Sequence, residues 1–157
     1  MPPPIALQGQ MGIKLGAWHS DPARGMSFGF FFQGQVEQGS LSLMTPLGSQ
    51  VAQVDWTPTS ATLRRVGPGG GEDIQRGSIE ELAETALGEA LPLQTLVHWM
   101  QGHPDPGLPH RTLQDAGNFE QRGWLIDTHE RAQGRVVATR QGQPGLRDAR
   151  IQVRLDP

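Results

Sequence analysis

The chain has no cysteine and no tyrosine, and of its 13 basic residues only Lys14 is a lysine. The lack of thiols excludes disulfides, cysteine nucleophiles, thiolate-held zinc and iron–sulfur clusters. Without tyrosine, the aromatic set of five Phe and four Trp has only indole N–H groups as polar handles. Charge of one sign is scarce too. Lys plus Arg number 13 against 16 Asp plus Glu, a net −3, and the arginines are scattered, so nucleic acid is not an expected partner. No run approaches the ~18 apolar residues of a membrane-spanning helix. The opening Met1-Pro2-Pro3-Pro4 has neither the basic nor the apolar segment of an export signal. On that start alone the chain is either cytosolic or has had an export segment removed.

What is present is ordinary in amount and informative in pattern. The 157 residues amount to one domain's worth of chain, and 21 Gly and 13 Pro supply many turns. Residues 1–11 are Pro- and Gln-rich and read as a flexible lead-in, a tether remnant, leaving 12–157 as a single domain. Apolar residues then alternate with polar ones at Ile13–Ala17, Met26–Phe32, Leu41–Leu43, Ala52–Trp56 and Ala61–Leu63. This is the period of half-buried strands. Turn formers separate them: Ser20-Asp21-Pro22, Gln38-Gly39, Pro46-Leu47-Gly48, Thr57-Pro58 and Gly67–Gly71.

The period changes in the middle. Ser78 with Glu81 forms a capping box, Ile79, Leu82, Ala83, Ala86 and Leu87 share one helical face, and Gly88 stops the helix. Pro92 suits the first turn of a second helix carrying Leu93, Leu96, Val97 and Met100, ended by Gly102. A proline-rich loop follows from His103 to Pro109. Strand signals return at Phe119–Arg122, Trp124–Thr128, Arg135–Arg140 and Arg150–Leu155. The order predicts an α+β, mainly β fold: one antiparallel sheet, its first strands a meander joined in sequence order, able to curl into a half-open barrel with helices over its open side.

Candidate chemistry is thin. His98, His103 and His110 with Asp105 gather near the proline loop, but spacings of five and seven do not suit metal ligation from a helix. No G-x-S-x-G elbow occurs, and Gly67–Gly71 lacks the Lys-Ser/Thr of a phosphate loop. Acidic residues at Glu80-Glu81 answer a helix dipole. No catalytic residue, metal or cofactor is expected. The apolar residues say more. Phe28, Phe30 and Phe32 share one strand face. With Leu41, Leu43, Val54 and Trp56 from the sheet and Leu82, Leu96, Trp99 and Met100 from the helices, they would suit the wall of an acyl-chain cavity. The same pattern would equally make a packed core. Leu47, at the tip of the Pro46–Gly48 turn, is unusual where Asn, Asp, Ser or Gly is normal. It is either tucked beneath a neighbour or exposed for an apolar contact.

The segment Leu41-Ser-Leu-Met-Thr-Pro46-Leu47-Gly48-Ser49 followed by Val51-Ala-Gln-Val-Asp-Trp56 resembles the outer-membrane lipoprotein receptor family LolB. So do the capped helix Ser78–Gly88, the Leu91-Pro92-Leu93 opening of a helix with Trp99, Gly102-His-Pro104, and the tail with Gly123-Trp124 and Gly134-Arg135-Val136. The likeness runs from Ile13 to Asp156. It implies an incomplete barrel with helices covering an apolar cavity. It also implies a function: accepting acylated lipoproteins from a periplasmic LolA-like carrier and inserting them into the outer membrane, at its periplasmic face. The resemblance makes Pro46, Leu47 and Gly48 a loop for contact with the outer-membrane phospholipid surface, and the protein a monomer. The family is anchored through a lipidated cysteine that this chain lacks, so the chain would be soluble. A LolA-like soluble carrier, a generic hydrophobic-ligand domain, a small hydrolase using the His98–His110 region and a packed structural domain are the alternatives.

Overall fold

The computed structural model describes residues 3–67, 71–114 and 117–157. The centre of the glycine-rich tip expected at Gly67–Gly71, residues 68–70, lies outside them. Along the chain run β1 (Ile5–Leu15), β2 (Arg24–Gly34), β3 (Gly39–Met44), β4 (Gln50–Thr57), β5 (Ser60–Arg65) and β6 (Ile74–Arg76). Then come α1 (Ile79–Leu87), α2 (Leu93–Met100), β7 (His110–Thr112), β8 (Phe119–Gln121), β9 (Trp124–Asp127), a 3₁₀ turn (Arg131–Gln133), β10 (Arg135–Arg140) and β11 (Ala149–Leu155). Hydrogen-bonded order is β6-β5-β4-β3-β2-β1-β11-β10-β9-β8-β7. β6 and β7 end that order without pairing to each other, so the sheet is open, as an incomplete barrel requires. The fold is mainly β with two helices, the class the sequence predicts. The first six strands form the meander in sequence order that the alternation predicts; the sequence order breaks only between β6 and β7, and β1 pairs with β11, so the first and last strands are neighbours.

One correction concerns the start. The stretch expected to be a flexible lead-in, 1–11, is strand from Ile5 onward. Ile5, Leu7, Gly9, Met11, Ile13 and Leu15 alternate with more exposed or polar neighbours, and Met11, Ile13 and Leu15 are buried. Gly9 breaks the apolar pattern without breaking the strand, which is why the alternation shows only from Ile13. β6 and β7, three residues each, are too short to carry a period and were not expected.

The chain divides into two compact units, residues 1–9 with 28–97 and residues 10–27 with 98–157. β1, β2 and α2 each pass from one unit to the other. In the first unit the register of β2 to β6 lines up rows of side chains on one face. Phe32, Leu41, Val54, Leu63 and Ile74 form one row across five strands, and Phe30, Leu43 and Ala52 form the next. Cross-strand neighbours of this kind are the unit of sheet stability. α1 packs on β5 and β6 and buries Ile79, Leu82 and Ala83. Its cap is the one expected: Ser78 Oγ accepts the Glu81 N–H (3.1 Å) and Gly88, at φ +80°, donates to Glu84 O (2.9 Å). Glu81 returns its carboxylate to the Gly77 N–H (3.3 Å) rather than to Ser78. Pro92 stands one residue before α2, its carbonyl accepting the Leu96 N–H (2.9 Å).

In the second unit β7 to β11 pair antiparallel, and Phe119, Ile126, Ala138 and Ile151 form a buried row across four strands. Gly134, at φ +88°, ends the 3₁₀ turn against β11. A Cβ there would come within 2.6 Å of Leu155 O, so only glycine lets the two backbones approach.

Candidate functional site

The β3–β4 hairpin of the first unit turns through Thr45-Pro46-Leu47-Gly48-Ser49. Gly48 N–H donates to Thr45 O (2.9 Å), which closes a four-residue turn with Pro46 and Leu47 at its centre. Leu47 is not among the residues with positive φ, so the turn is of type I, where proline is favoured in the first central place and glycine in the last. Gly48 then takes φ +96°, the left-handed residue that lets the strands rejoin. Thr45 N–H bonds to Ser49 O (2.8 Å), and Thr45 Oγ1 accepts the Ser49 N–H (3.2 Å). The backbone is thus held from both sides while the tip is bare. Leu47 is 96% exposed, and nothing lies within 4 Å of where a Gly48 side chain would begin. Of the two placements the sequence allows for Leu47, the structure has the exposed one.

The expected wall residues of the sheet share one face of the first unit, but not equally. Phe30 (0% exposed) and Phe32 (1%) are sealed, and Val54 and Trp56 are buried. Phe28, Leu41 and Leu43 are only half-buried, although Leu41 and Leu43 stand in the middle of the apolar rows. An apolar row whose middle keeps solvent access is a surface on which an apolar ligand can still be buried. Its far end is rigid. Phe32 and Trp56 stack at 5.6 Å between ring centres, and Val36 O accepts both the Trp56 indole N–H (2.9 Å) and the Gln94 side-chain amide (2.9 Å). Leu82 and Leu96 belong to this unit and are buried.

Trp99 and Met100 belong to the second unit. There Trp99 is tied to a polar hub. Its indole N–H donates to Gln121 Oε1 (2.9 Å), which also accepts the Asp105 N–H (2.9 Å). Gln121 Nε2 donates to Asp105 O (2.9 Å) and Leu108 O (3.2 Å). Four bonds satisfy a side chain that is 2% exposed, and they fasten the proline-rich loop to β8. Trp99 packs on Trp124 (6.2 Å), over which lies the Arg140 guanidinium (5.3 Å). Arg131 Nε donates to Met100 O (2.6 Å), satisfying a carbonyl at the end of α2.

A second buried hub carries no signal in the sequence. Arg147, 4% exposed, donates to Gly16 O (2.8 Å), Asp21 Oδ2 (2.8 Å) and Pro22 O (3.2 Å), and its own carbonyl accepts two bonds from Arg140 (3.1 and 2.7 Å). The Arg147 hydrogen bond, helped by the charges of Arg24 and Arg147 and opposed by desolvation, holds the Asp21 carboxyl below its ordinary value. No signal within the sequence pairs Asp21 with Arg147, 126 positions away. Beside this hub lies an open cleft of about 820 Å³, lined by Lys14, Trp124, Leu125, Thr139 and Arg150 among others.

The histidine region assembles only partly. His98 Nε2 stands 3.7 Å from Asp105 Oδ1 and its ring 5.4 Å from that of His103, while His110 is on exposed β7. Among the described residues no three His, Cys, Asp or Glu side chains are placed to hold a metal ion. No helix of the described residues is long and apolar enough to cross a membrane.

A family model described as outer membrane lipoprotein LolB matches residues 4–155. Among curated proteins, the outer-membrane lipoprotein LolB of Chromobacterium violaceum is 31% identical over 123 residues, covering 78% of this chain and 62% of the relative. That of Neisseria meningitidis serogroup A is 34% identical over 110 residues, 70% of this chain and 54% of the relative. That of Azoarcus sp. is 29% identical over 157 residues, 97% of this chain and 78% of the relative. The chain thus spans less than two thirds of the first two of these relatives.

Proposed function

Since the chain belongs to the LolB family, we propose that it takes up acylated lipoproteins and hands them to the periplasmic face of the outer membrane. The donor is a LolA-like carrier. Acyl chains lie along the apolar face of β2 to β6, entering where Phe28, Leu41 and Leu43 retain solvent access. Phe30, Phe32, Val54 and Trp56 form the fixed wall behind them. Burying each methylene contributes about 0.8 kcal/mol, so a lipidated N-terminus needs an apolar surface at every stage of a passage through water. Delivery needs no bond to be made or broken. It runs downhill if the bilayer holds the chains more tightly than this face does.

The observation that carries this reading is Leu47, 96% exposed on a backbone-braced, uncharged turn. Immersing one leucine contributes roughly 1.5–3 kcal/mol. That is enough to bias a brief bilayer contact and too little to anchor a protein, which suits a residue that starts a transfer. A carrier that must stay in water has no use for such a tip, and this favours the receptor over the soluble-carrier reading.

The test of uptake is photocrosslinking with a diazirine-bearing acylated peptide. Adducts are expected on Phe28, Leu41 or Leu43, and Leu41→Asp should abolish them while the protein stays folded. Adducts confined to the second unit, or none, would refute the assignment of the acyl site.

A further inference from the structure

The outward face of β3, β4 and β5 is polar for most of its length. Ser42 Oγ donates to Gln53 Oε1 (2.8 Å), Gln53 Nε2 donates to Ser40 Oγ and Asp55 Oδ1, and Arg64 pairs with Asp55 (3.3 Å). The pattern fails at the Leu47 end of the β4–β5 pair. Val66 N–H donates to Val51 O (3.0 Å), one step beyond the Ala52–Arg65 pair, so two valines stand opposite each other there. Against β3 the register shifts here, Leu43 facing Ala52 and Met44 facing Gln50, so Val51 is the extra residue of a bulge; Ala52 is buried and Val51 lies on the exposed side. Val51 is 40% and Val66 43% exposed. With Leu47 they are all the exposed large apolar residues of the first unit's described residues, and all three lie at one end of two adjoining hairpins.

We propose that bilayer contact is made by this two-hairpin edge, Leu47 entering the lipid while the Val51–Val66 pair rests at the boundary of headgroups and acyl chains. The inference deepens the reading of Leu47 as the bilayer-facing residue and rests on it. The dimensions suit it. Val51 follows Leu47 by four residues, at most about 14 Å of chain, and interfacial segments sink about 5–10 Å. A tip at that depth brings the valine rung to the surface. The chemistry points to lipid rather than to a protein. From Met44 to Val54 the chain carries no charge, so immersing the Leu47 turn desolvates no ion of that segment. Arg64, the nearest outward cation, is already paired with Asp55. A protein partner would need a preformed pocket for a lone knob, whereas fluid lipid takes its shape.

The cysteine-free chain makes the test direct. Single variants L47C, V51C and V66C, with Q53C and T62C as controls farther along the same face, are each labelled with a nitroxide. Collisions with oxygen and with a water-soluble nickel complex are then compared with and without vesicles of phosphatidylethanolamine and phosphatidylglycerol. Immersion at 47, lesser immersion at 51 and 66, and none at 53 and 62 is the expected result. Labels at 51 and 66 as wet as those at 53 and 62, with 47 immersed, would overturn the valine rung alone. No immersion at 47 would overturn the membrane reading as well. Immersion at all five would replace the edge by a flat-lying sheet. The double variant V51S/V66S should fold normally and bind these vesicles about tenfold more weakly, from the apolar area lost; unchanged binding would contradict the proposal.

Discussion

Replacing Gln121 tests whether a single amide holds the proline-rich loop in place. In Gln121→Met the side-chain volume is nearly kept and all four hydrogen bonds go. The Trp99 indole N–H, on a residue 0% exposed, is then left without a partner and without room for water. The Asp105 N–H and the Asp105 and Leu108 carbonyls, only part-buried, recover some solvation. At roughly 1–3 kcal/mol for each buried group left unsatisfied, the change should cost about 3–5 kcal/mol, a large share of the ~5–15 kcal/mol that holds a domain together. Gln121→Ala should cost less, about 2–3 kcal/mol, because the space it opens can admit a bridging water. Gln121→Glu keeps the acceptor for Trp99 and Asp105 but turns a carboxylate on two carbonyls, so its loss should shrink as the pH falls and the acid regains a donor. Urea unfolding followed by tryptophan fluorescence measures all three. A Met variant within 1 kcal/mol of the parent, or one more stable than the Ala variant, would refute the reasoning.

Three further outcomes follow from the same geometry. Asp21 is held below its ordinary value of 3.8 by Arg147, so its contribution is fully present above that value and is lost as pH falls through the depressed one. Asp21→Asn should therefore make the acid limb of stability below about pH 4 shallower, seen as a urea midpoint that declines less than the parent's. Gly48→Ala meets no steric neighbour but must hold φ +96°, so it should destabilise the hairpin by about 1 kcal/mol, read as faster exchange of the Gly48 and Ser49 amides. Leu47→Ala, by contrast, removes nothing that the fold uses and should leave the urea midpoint unchanged within about 0.5 kcal/mol.

What could be read from the chain was what is local. The cap of α1 is written in four consecutive residues, and Ser78 and Glu81 meet across one turn. The bare leucine was visible because a turn tip seldom carries one, although its exposure needed the structure. The start of β1 was hidden by Gly9, which interrupts an apolar pattern but not a strand. The hubs were hidden for another reason: Arg147 with Asp21, and Gln121 with Trp99 and Leu108, join residues distant in sequence, and an isolated Arg or Gln has no period. The wall residues fell between these cases. Their common face follows from alternation, but the partial exposure of Phe28, Leu41 and Leu43 depends on packing that no spacing encodes.

The most direct trial is a single-turnover handover. Protein loaded with an acylated lipoprotein is mixed with phospholipid vesicles, and the cargo is followed from one to the other for the parent and for Leu47→Glu. The parent should release its load into the vesicles, and the variant should load equally well yet keep what it holds. A variant that empties at the parent's rate would contradict the role given to the tip, and with it the account of how cargo leaves this protein.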